Sequence, residues 1–309
     1  MAPVPGGSGN GLIKSLLFEV GEDLSVINAV FMALKGTNEP MDISIVQTKS
    51  HTYRSFLFLG WGLISDIDLL SESMRRLGEM RFYLAAVYFI LKKKYYRGRL
   101  SMYTCGTDSP GSSPGSGTSL VTGPGSGPGS GTSSEWGKNS LPSFDTEISA
   151  GNGWEVIDGL FLFVWIVQTS HVTASMHSGP GVCSNDGMFT IYVVTEMSRC
   201  EMVQLLIAMD TGDHVKHPKV RTFHCTAYRL EPCNVIDDSN NSGRSNDSDF
   251  HNSNININSS GNSSGSSNVS GNNSDRDGGL FTLDGESVEY GPIQGIMRHK
   301  AGTVKKLRL

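Results

Sequence analysis

Two long polar segments decide how this chain can fold. Residues 107–135 are dominated by Gly, Ser and Pro, with a central run PGSSPGSGTSLVTGPGSGPGSGTSS. Residues 237–278 are mostly Asn, Ser, Gly and Asp. Neither carries enough apolar surface to offset the entropy of ordering it. Both are therefore predicted to be disordered, the first as a linker and the second as an insertion. Sequons inside the second, such as Asn262-Ser263-Ser264, are the chance product of Asn/Ser-rich composition. Any core has to be assembled from separated pieces: residues 1–40, 41–106, 136–236 and 279–309.

Those pieces have the make-up of a globular protein. The 309 residues hold 38% hydrophobic residues and a formal net charge of −5. With no basic stripe, nucleic acid is not an expected partner. Five cysteines, Cys105, Cys183, Cys200, Cys225 and Cys233, are odd in number, widely spaced and without a C-x-x-C pair. That argues against a disulfide scaffold, a zinc ribbon or a redox pair, and for free thiols in a reducing compartment. The longest apolar stretches, Phe82–Leu91 and Leu160–Val167, reach near half of the roughly 18 residues a membrane span needs. The N-terminal MAPVPGGSGNGL has no basic region leading into an apolar core, so no signal peptide is expected. The expected location is cytoplasmic, with peripheral membrane contact.

Periodicity places the elements. Leu12, Ile13, Leu16, Leu17 and Val20 recur at helical spacing. A second helix is predicted with Asp23 as N-cap, Leu24, Ile27, Val30, Phe31 and Leu34 as its stripe, and Gly36 as its stop. Ile43, Ile45 and Phe56–Leu59 read as strands flanking a polar turn at Ser50-His51. Glu72–Arg97 reads as one long helix with Leu77, Met80, Leu84, Val87 and Leu91 as its stripe. Glu72/Arg76 and Arg75/Glu79 pair at i,i+4 along it. Strands are predicted at Leu100–Tyr103, Leu160–Val167, Phe189–Val194 and Val220–Leu230, and a short helix at Cys200–Met209. Leu280–Tyr290 reads as a hairpin turning at Asp284-Gly285. Strands dominate the later two thirds, so the expected fold is α+β, an antiparallel sandwich with a helical insertion.

Four stretches carry candidate chemistry. In PGGSGNGL, Pro5–Leu12, a glycine-rich loop runs into a helix, an arrangement that lets backbone N–H groups approach an oxyanion. It lacks the Gly-Lys-Ser/Thr ending of a Walker A loop, and taken alone it reads more readily as a flexible tail. Trp61–Asp68 holds two acids, Asp66 and Asp68, and is followed by Arg75, Arg76 and Arg81. Cations at a helix start oppose the macrodipole, which phosphate would compensate, while the acids could hold a cationic amine. A solvated helix start explains the pattern equally well. In Leu283–Glu286 two carboxylates flank a glycine, as a metal or phosphate-orienting site or as an ordinary Asp-Gly turn. In Phe82–Leu100 an apolar run ends in Lys92, Lys93, Lys94, Arg97 and Arg99. It reads as a well-capped core helix or as a basic amphipathic patch for anionic lipid or calmodulin. His171 and His177 lack the further ligands a metal site needs. No G-x-S-x-G elbow is present.

Together these stretches resemble the sphingosine kinases, within the diacylglycerol-kinase-like lipid kinases. The matching segments are Pro5–Leu12, Phe58–Arg81, Tyr96–Leu100, Leu205–Val215, Tyr228–Pro232 and Phe281–Gln294. RRLGEMRF at Arg75–Phe82 is the most specific of them. The resemblance implies a β-sandwich lipid-kinase C-terminal domain, with residues 1–40 as a remnant of a nucleotide-binding α/β domain. It implies ATP- and Mg2+-dependent phosphorylation of the primary hydroxyl of sphingosine or a related long-chain base. Gly7, Ser8 and Gly9 would line the ATP site, and Arg75 and Arg81 would contact phosphates. Asp284, Gly285 and Glu286 would border the nucleotide and its magnesium, and Asp68 would contact the sphingosine head group. Leu70 stands where the family usually has an acid. The family's general base, the aspartate of a Gly-Asp-Gly motif, precedes the glycine-rich loop and has no counterpart in these residues, so no catalytic residue is assigned. A chain without it is expected to be part of a larger kinase. The alternative is a catalytically inactive lipid-binding or regulatory protein. Helices over Leu12–Leu34 are then expected to leave apolar surface exposed.

Overall fold

The computed structural model describes residues 1–7, 9–77, 80–104, 141–233 and 278–307. The segment 107–135, and all of 237–278 except Gly278, lie outside the described residues. Strands β1 (Thr37–Gln47), β2 (Thr52–Ser55), β3 (Phe58–Gly62), β4 (Tyr96–Tyr103), β5 (Trp154–Phe161) and β6 (Phe163–Val167) come first. They are followed by β7 (Phe189–Val194), β8 (Arg221–Cys225), β9 (Ala227–Pro232), β10 (Phe281–Leu283), β11 (Glu286–Val288) and β12 (Ile293–Lys306). The helices are α1 (Gly11–Phe18), α2 (Val26–Lys35), α3 (Leu63–Glu72), α4 (Met80–Lys92) and α5 (Arg199–Ala208). One six-stranded sheet has the order β2-β1-β12-β9-β4-β5 and the other β11-β10-β3-β6-β7-β8. Their strand pairs are antiparallel.

The apolar runs explain the layering. Every residue of FVWIV in β6 is buried. Because side chains alternate across a strand, such a run needs cover on both faces. Val164 and Ile166 enter the core between the sheets with Trp61, Tyr96, Phe161 and Tyr228. Phe163, Trp165 and Val167 point the other way, into a second core with Leu63 and Ile67 of α3, Ala85 and Ile90 of α4, and Met202 and Leu205 of α5. The molecule is thus sheet on sheet, with a helical layer on the second sheet. Helices α1 and α2 close a third cluster against Met41 and Val304. The expected antiparallel sandwich with a helical insertion is borne out.

Several boundaries differ from the sequence reading. The single helix over Glu72–Arg97 is broken: α3 ends at Glu72, a 3-10 turn spans Arg75–Leu77, α4 covers Met80–Lys92, and Tyr96 already starts β4. The hydroxyls of Ser71 and Ser73 bond back to the carbonyls of Asp68 and Leu70 at 2.7 and 2.9 Å, competing with continued helix. Glu72 and Arg76 therefore do not share one helix, and Glu79 of the second expected pair lies outside the described residues. The expected stripe of α4 is its outward face: Leu84, Val87 and Leu91 are 50%, 54% and 65% exposed. The helix is apolar all round, so periodicity does not choose a side. The small Ala85 and Ala86, with Arg81 and Ile90, pack inward instead. In α2 the cap is Ser25, whose hydroxyl accepts from the Asn28 N–H, and not Asp23. Its expected stripe also faces out, with Ile27 80% and Leu34 76% exposed. The strand over Leu160–Val167 is split at Leu162, and that over Val220–Leu230 at Thr226. The long β12 was not anticipated.

Candidate functional site

The glycine-rich loop is organised by Asn10. Its Oδ1 accepts from the N–H groups of Gly6 and Gly7 at 3.1 and 3.2 Å, and its Nδ2 donates to the Gly7 carbonyl at 2.8 Å. Asn10 sits in the left-handed region at φ 55° and pairs with Thr173. Gly11 starts α1 against the 171–172 backbone, where a Cβ would fall 2.4 Å from the Val172 carbonyl. Ser15 then locks the helix on: its hydroxyl donates to the His171 carbonyl at 3.1 Å and accepts from the His171 N–H at 2.9 Å. Gly7 is exposed and Gly9 partly buried, and Ser8 lies outside the described residues.

The hairpin tip is held as firmly. Asp284 and Gly285 take φ of 52° and 89°, the paired left-handed conformations of a two-residue type I′ turn. The Asp284 carboxylate accepts from the Ser55 hydroxyl at 2.8 Å and from the N–H groups of Phe56, Leu57 and Phe58 at 3.1, 3.0 and 3.0 Å. Burial pushes its carboxyl above the usual aspartate value, against the pull of those four donors. Gly285 is partly buried and Glu286 exposed beyond it. Ser55 Oγ also accepts from Gln168 Nε2 at 3.2 Å. The hairpin tip is thereby linked to the 168–173 stretch on which the glycine-rich loop and α1 rest.

Helix α3 carries the two acids. It starts at Gly62, whose φ of 82° and close approach to Leu162 and the Tyr96 ring leave no room for a Cβ. Asp66 is buried: its Oδ2 accepts from the Tyr96 hydroxyl at 2.6 Å and its Oδ1 from the Leu280 N–H at 3.1 Å. Burial pushes the Asp66 carboxyl up, opposed by these donors and by Lys94 and Lys92. Asp68, two residues on, is partly buried. Helix α3 packs on both α4 and β10. Arg75 opens the 3-10 turn between α3 and α4. Arg81 is buried in the first turn of α4, its guanidinium carbon 4.4 Å from the Phe82 ring centroid. A buried cation at a helix start is disfavoured by the macrodipole unless an anion meets it.

A histidine cluster borders α1. His171 and His177 stack at 4.6 Å with planes 7° apart, and Phe18 packs on both. Burial, then His177 and Lys14, lowers the His171 pKa to about 4. Burial likewise lowers that of His214, packed against Tyr192, to about 4. Among the described residues no three His, Cys, Asp or Glu side chains converge to hold a metal. Magnesium arriving with a nucleotide asks for less, since phosphate oxygens, water and one or two carboxylates suffice.

The structure thus groups Asp68 and Arg81 in one helical layer, with the 284–286 tip on the sheet beneath it. Asn10, Ser55 and Tyr96 were not singled out as working parts by sequence reasoning, and Asp66, read with Asp68 as an acid that could hold an amine, is instead engaged by Tyr96 and Leu280. Only Asn10 left a signal, as a residue able to adopt left-handed backbone directly before a helix.

The fold defines the class. Residues 152–243 match the family profile of the YegS C-terminal NAD kinase beta sandwich-like domain. The crystal structure of a diacylglycerol-kinase-like protein from Bacillus anthracis str. Sterne superposes with a TM-score of 0.51 at 13% identity, covering 98% of this chain and 68% of that one. The sequence narrows the class further. Sphingosine kinase 1 of Homo sapiens is 32% identical over 243 residues, 75% of this chain and 59% of that protein. Sphingosine kinase 1 of Arabidopsis thaliana is 28% identical over 252 residues, 78% of this chain and 47% of that protein. The chain is similar in sequence to the sphingosine kinases and shares the fold of the diacylglycerol-kinase-like structure, and it spans about half the length of the curated relatives it matches.

Proposed function

We propose that this chain supplies the lipid-binding part, and one wall of the nucleotide site, of an ATP-dependent lipid kinase. Its substrate is a long-chain base of the sphingosine type, phosphorylated at the primary hydroxyl. The observation that carries the reading is the placement of Asp68 on α3 beside α4, whose first turn buries Arg81. Asp68 holds the cationic amine of the base, and the arginines Arg75 and Arg81 meet the phosphates of ATP. Gly7, Ser8 and Gly9 line the nucleotide from the loop, and Gly285 and Glu286 from the hairpin, where Asp284 acts by shaping the turn. Magnesium bound with the nucleotide would neutralise the phosphates, with the exposed Glu286 carboxylate as the residue that would meet it. In the transfer the hydroxyl oxygen bonds to the γ-phosphorus as the bond to ADP breaks, and the hydroxyl proton is released to water. Such a reaction needs positioning and charge neutralisation above all.

The test is sphingosine binding in detergent micelles together with phosphate transfer from ATP. Wild-type chain binds sphingosine, and Asp68→Ala weakens it at least tenfold; equal binding by the two overturns the reading. The second reading, a lipid-binding protein without catalysis, is favoured by the acids Asp66 and Asp284, both engaged by internal donors as structural carboxylates are. Sphingosine binding with no phosphate transfer even when the chain is joined to a nucleotide-binding α/β domain carrying a Gly-Asp-Gly motif would select it.

Membrane contact belongs to the same proposal. The outward face of α4 shows Met80, Leu84, Val87 and Leu91 to solvent and ends at Lys92 and Lys93. An apolar face with a basic rim suits an anionic membrane surface. The calmodulin alternative needs one helix through Leu100, whereas Tyr96–Leu100 lies in β4. No helix among the described residues is long and apolar enough to cross a membrane.

A further inference from the structure

Asp66 stands where an apolar residue would be expected. It lies on the buried side of α3 with Leu63 and Ile67, against the Tyr96 hydroxyl. A buried carboxylate is expensive, and a hydrophobic residue of similar volume often stabilises a fold as well or better. What Asp66 does that an apolar residue cannot is fix direction. It joins α3 to β4 through the Tyr96 hydroxyl at 2.6 Å and to the start of β10 through the Leu280 N–H at 3.1 Å. A further polar tie from this turn to β10 is Ser65 Oγ with Thr282 Oγ1 at 2.8 Å. The Lys94 Nζ lies 5.2 Å from the Tyr96 ring centroid, a cation over the same ring.

Each residue advances an α-helix by about 100°, so two steps from Asp66 bring Asp68 to roughly the opposite side. Rotating α3 by one position would carry Asp68 away from where it now stands. We infer that Asp66 is a positioning residue for long-chain-base recognition: its two bonds, to Tyr96 and Leu280, set the rotation of α3 at which Asp68 meets the amine. This rests on the reading of Asp68 given above.

The experiment compares binding of sphingosine with that of octadecanol, which has a long chain and a hydroxyl but no amine, both in detergent micelles. The full chain is used as wild type, Asp66→Leu, Asp66→Asn, Tyr96→Phe, Asp68→Asn and the double variant Asp66→Leu/Asp68→Asn. Asp66→Leu is expected to weaken sphingosine binding at least tenfold and leave octadecanol binding within twofold of wild type. Asp66→Asn, which keeps one acceptor, recovers part of the loss. The double variant binds no more weakly than Asp68→Asn alone, because Asp66 acts through Asp68. Tyr96→Phe keeps the ring and loses one bond, and carries the test should Asp66→Leu fail to fold. Equal losses for the two lipids, or additive losses in the double variant, would overturn the inference and leave Asp66 a structural acid. So would sphingosine binding within twofold of wild type in both Asp66→Leu and Tyr96→Phe. If instead Asp68→Asn binds sphingosine like wild type, the reading of Asp68 itself fails.

Discussion

Asp284 carries more of this fold than its place in a two-residue turn suggests. Three consecutive N–H groups and one hydroxyl converge on a single carboxylate. Asp284→Ala leaves those donors without an acceptor and is expected to cost roughly 3–4 kcal/mol in denaturant unfolding. Asp284→Asn keeps one oxygen but turns an NH2 group toward the other donors, and should cost about 2 kcal/mol. Undiminished stability in both would show the cradle to be dispensable. His171 makes the fold acid-sensitive. Its folded pKa of about 4 lies below its ordinary value of 6.5, so the native state favours the neutral ring. The stability this contributes is intact above about pH 6.5 and is lost as pH falls toward 4, at most about 3 kcal/mol. His214 titrates in the same window. His171→Phe, which keeps the stack on His177 and removes the proton, should therefore flatten part of the stability decline between pH 6.5 and 4. An unchanged slope would place the acid sensitivity elsewhere.

At the scale of elements, α2 and α4 turn apolar residues outward, while the alternating strands are filled from both sides. Strand positions were legible because β7 and β6 are short, β-branched and aromatic runs bounded by turn residues. The side that α4 buries was not, since MRFYLAAVYFILK offers apolar residues in every direction and only the neighbouring sheet chooses Ala85 and Ala86. The break before α4 was masked by an i,i+4 charge pattern that the serine hydroxyls and the 3-10 turn override. The outward face makes a prediction that separates docking from folding. Leu84→Glu with Leu91→Glu touches exposed positions, so the unfolding midpoint should hardly move. Binding to vesicles of phosphatidylcholine with anionic phosphatidylserine should drop at least tenfold in flotation. Unchanged flotation would remove α4 from the membrane-facing surface.

At the scale of the whole molecule, the sandwich was legible from the placement of strands, and the polar segments marked where it is interrupted. The site was legible only in part. Asp68, Arg81 and the Asp284-Gly285 turn announce themselves in short motifs, whereas the Asp66–Tyr96 bond joins residues 30 apart. The Ser55–Asp284 bond joins residues 229 apart, and local sequence carries no trace of either. The same long-range ties bear on the Asn/Ser-rich insertion. Its two ends are fastened independently. The Cys233 N–H donates to the Arg97 carbonyl at 2.8 Å, and Trp61 Nε1 donates to the Gly278 carbonyl at 3.1 Å. Both anchors lie beside Tyr96: Arg97 follows it in β4, and the Gly279 backbone packs on its ring. Each halving of a flexible loop lowers its closure cost by about 0.6 kcal/mol. Replacing residues 237–276 by a few Gly and Ser residues shortens the connection by about three halvings. It should therefore raise unfolding stability by roughly 1–2 kcal/mol. Urea unfolding of the shortened chain against the full one measures this. A loss of stability would mean that residues 237–276 contribute folding energy to the sandwich, contrary to what their composition allows.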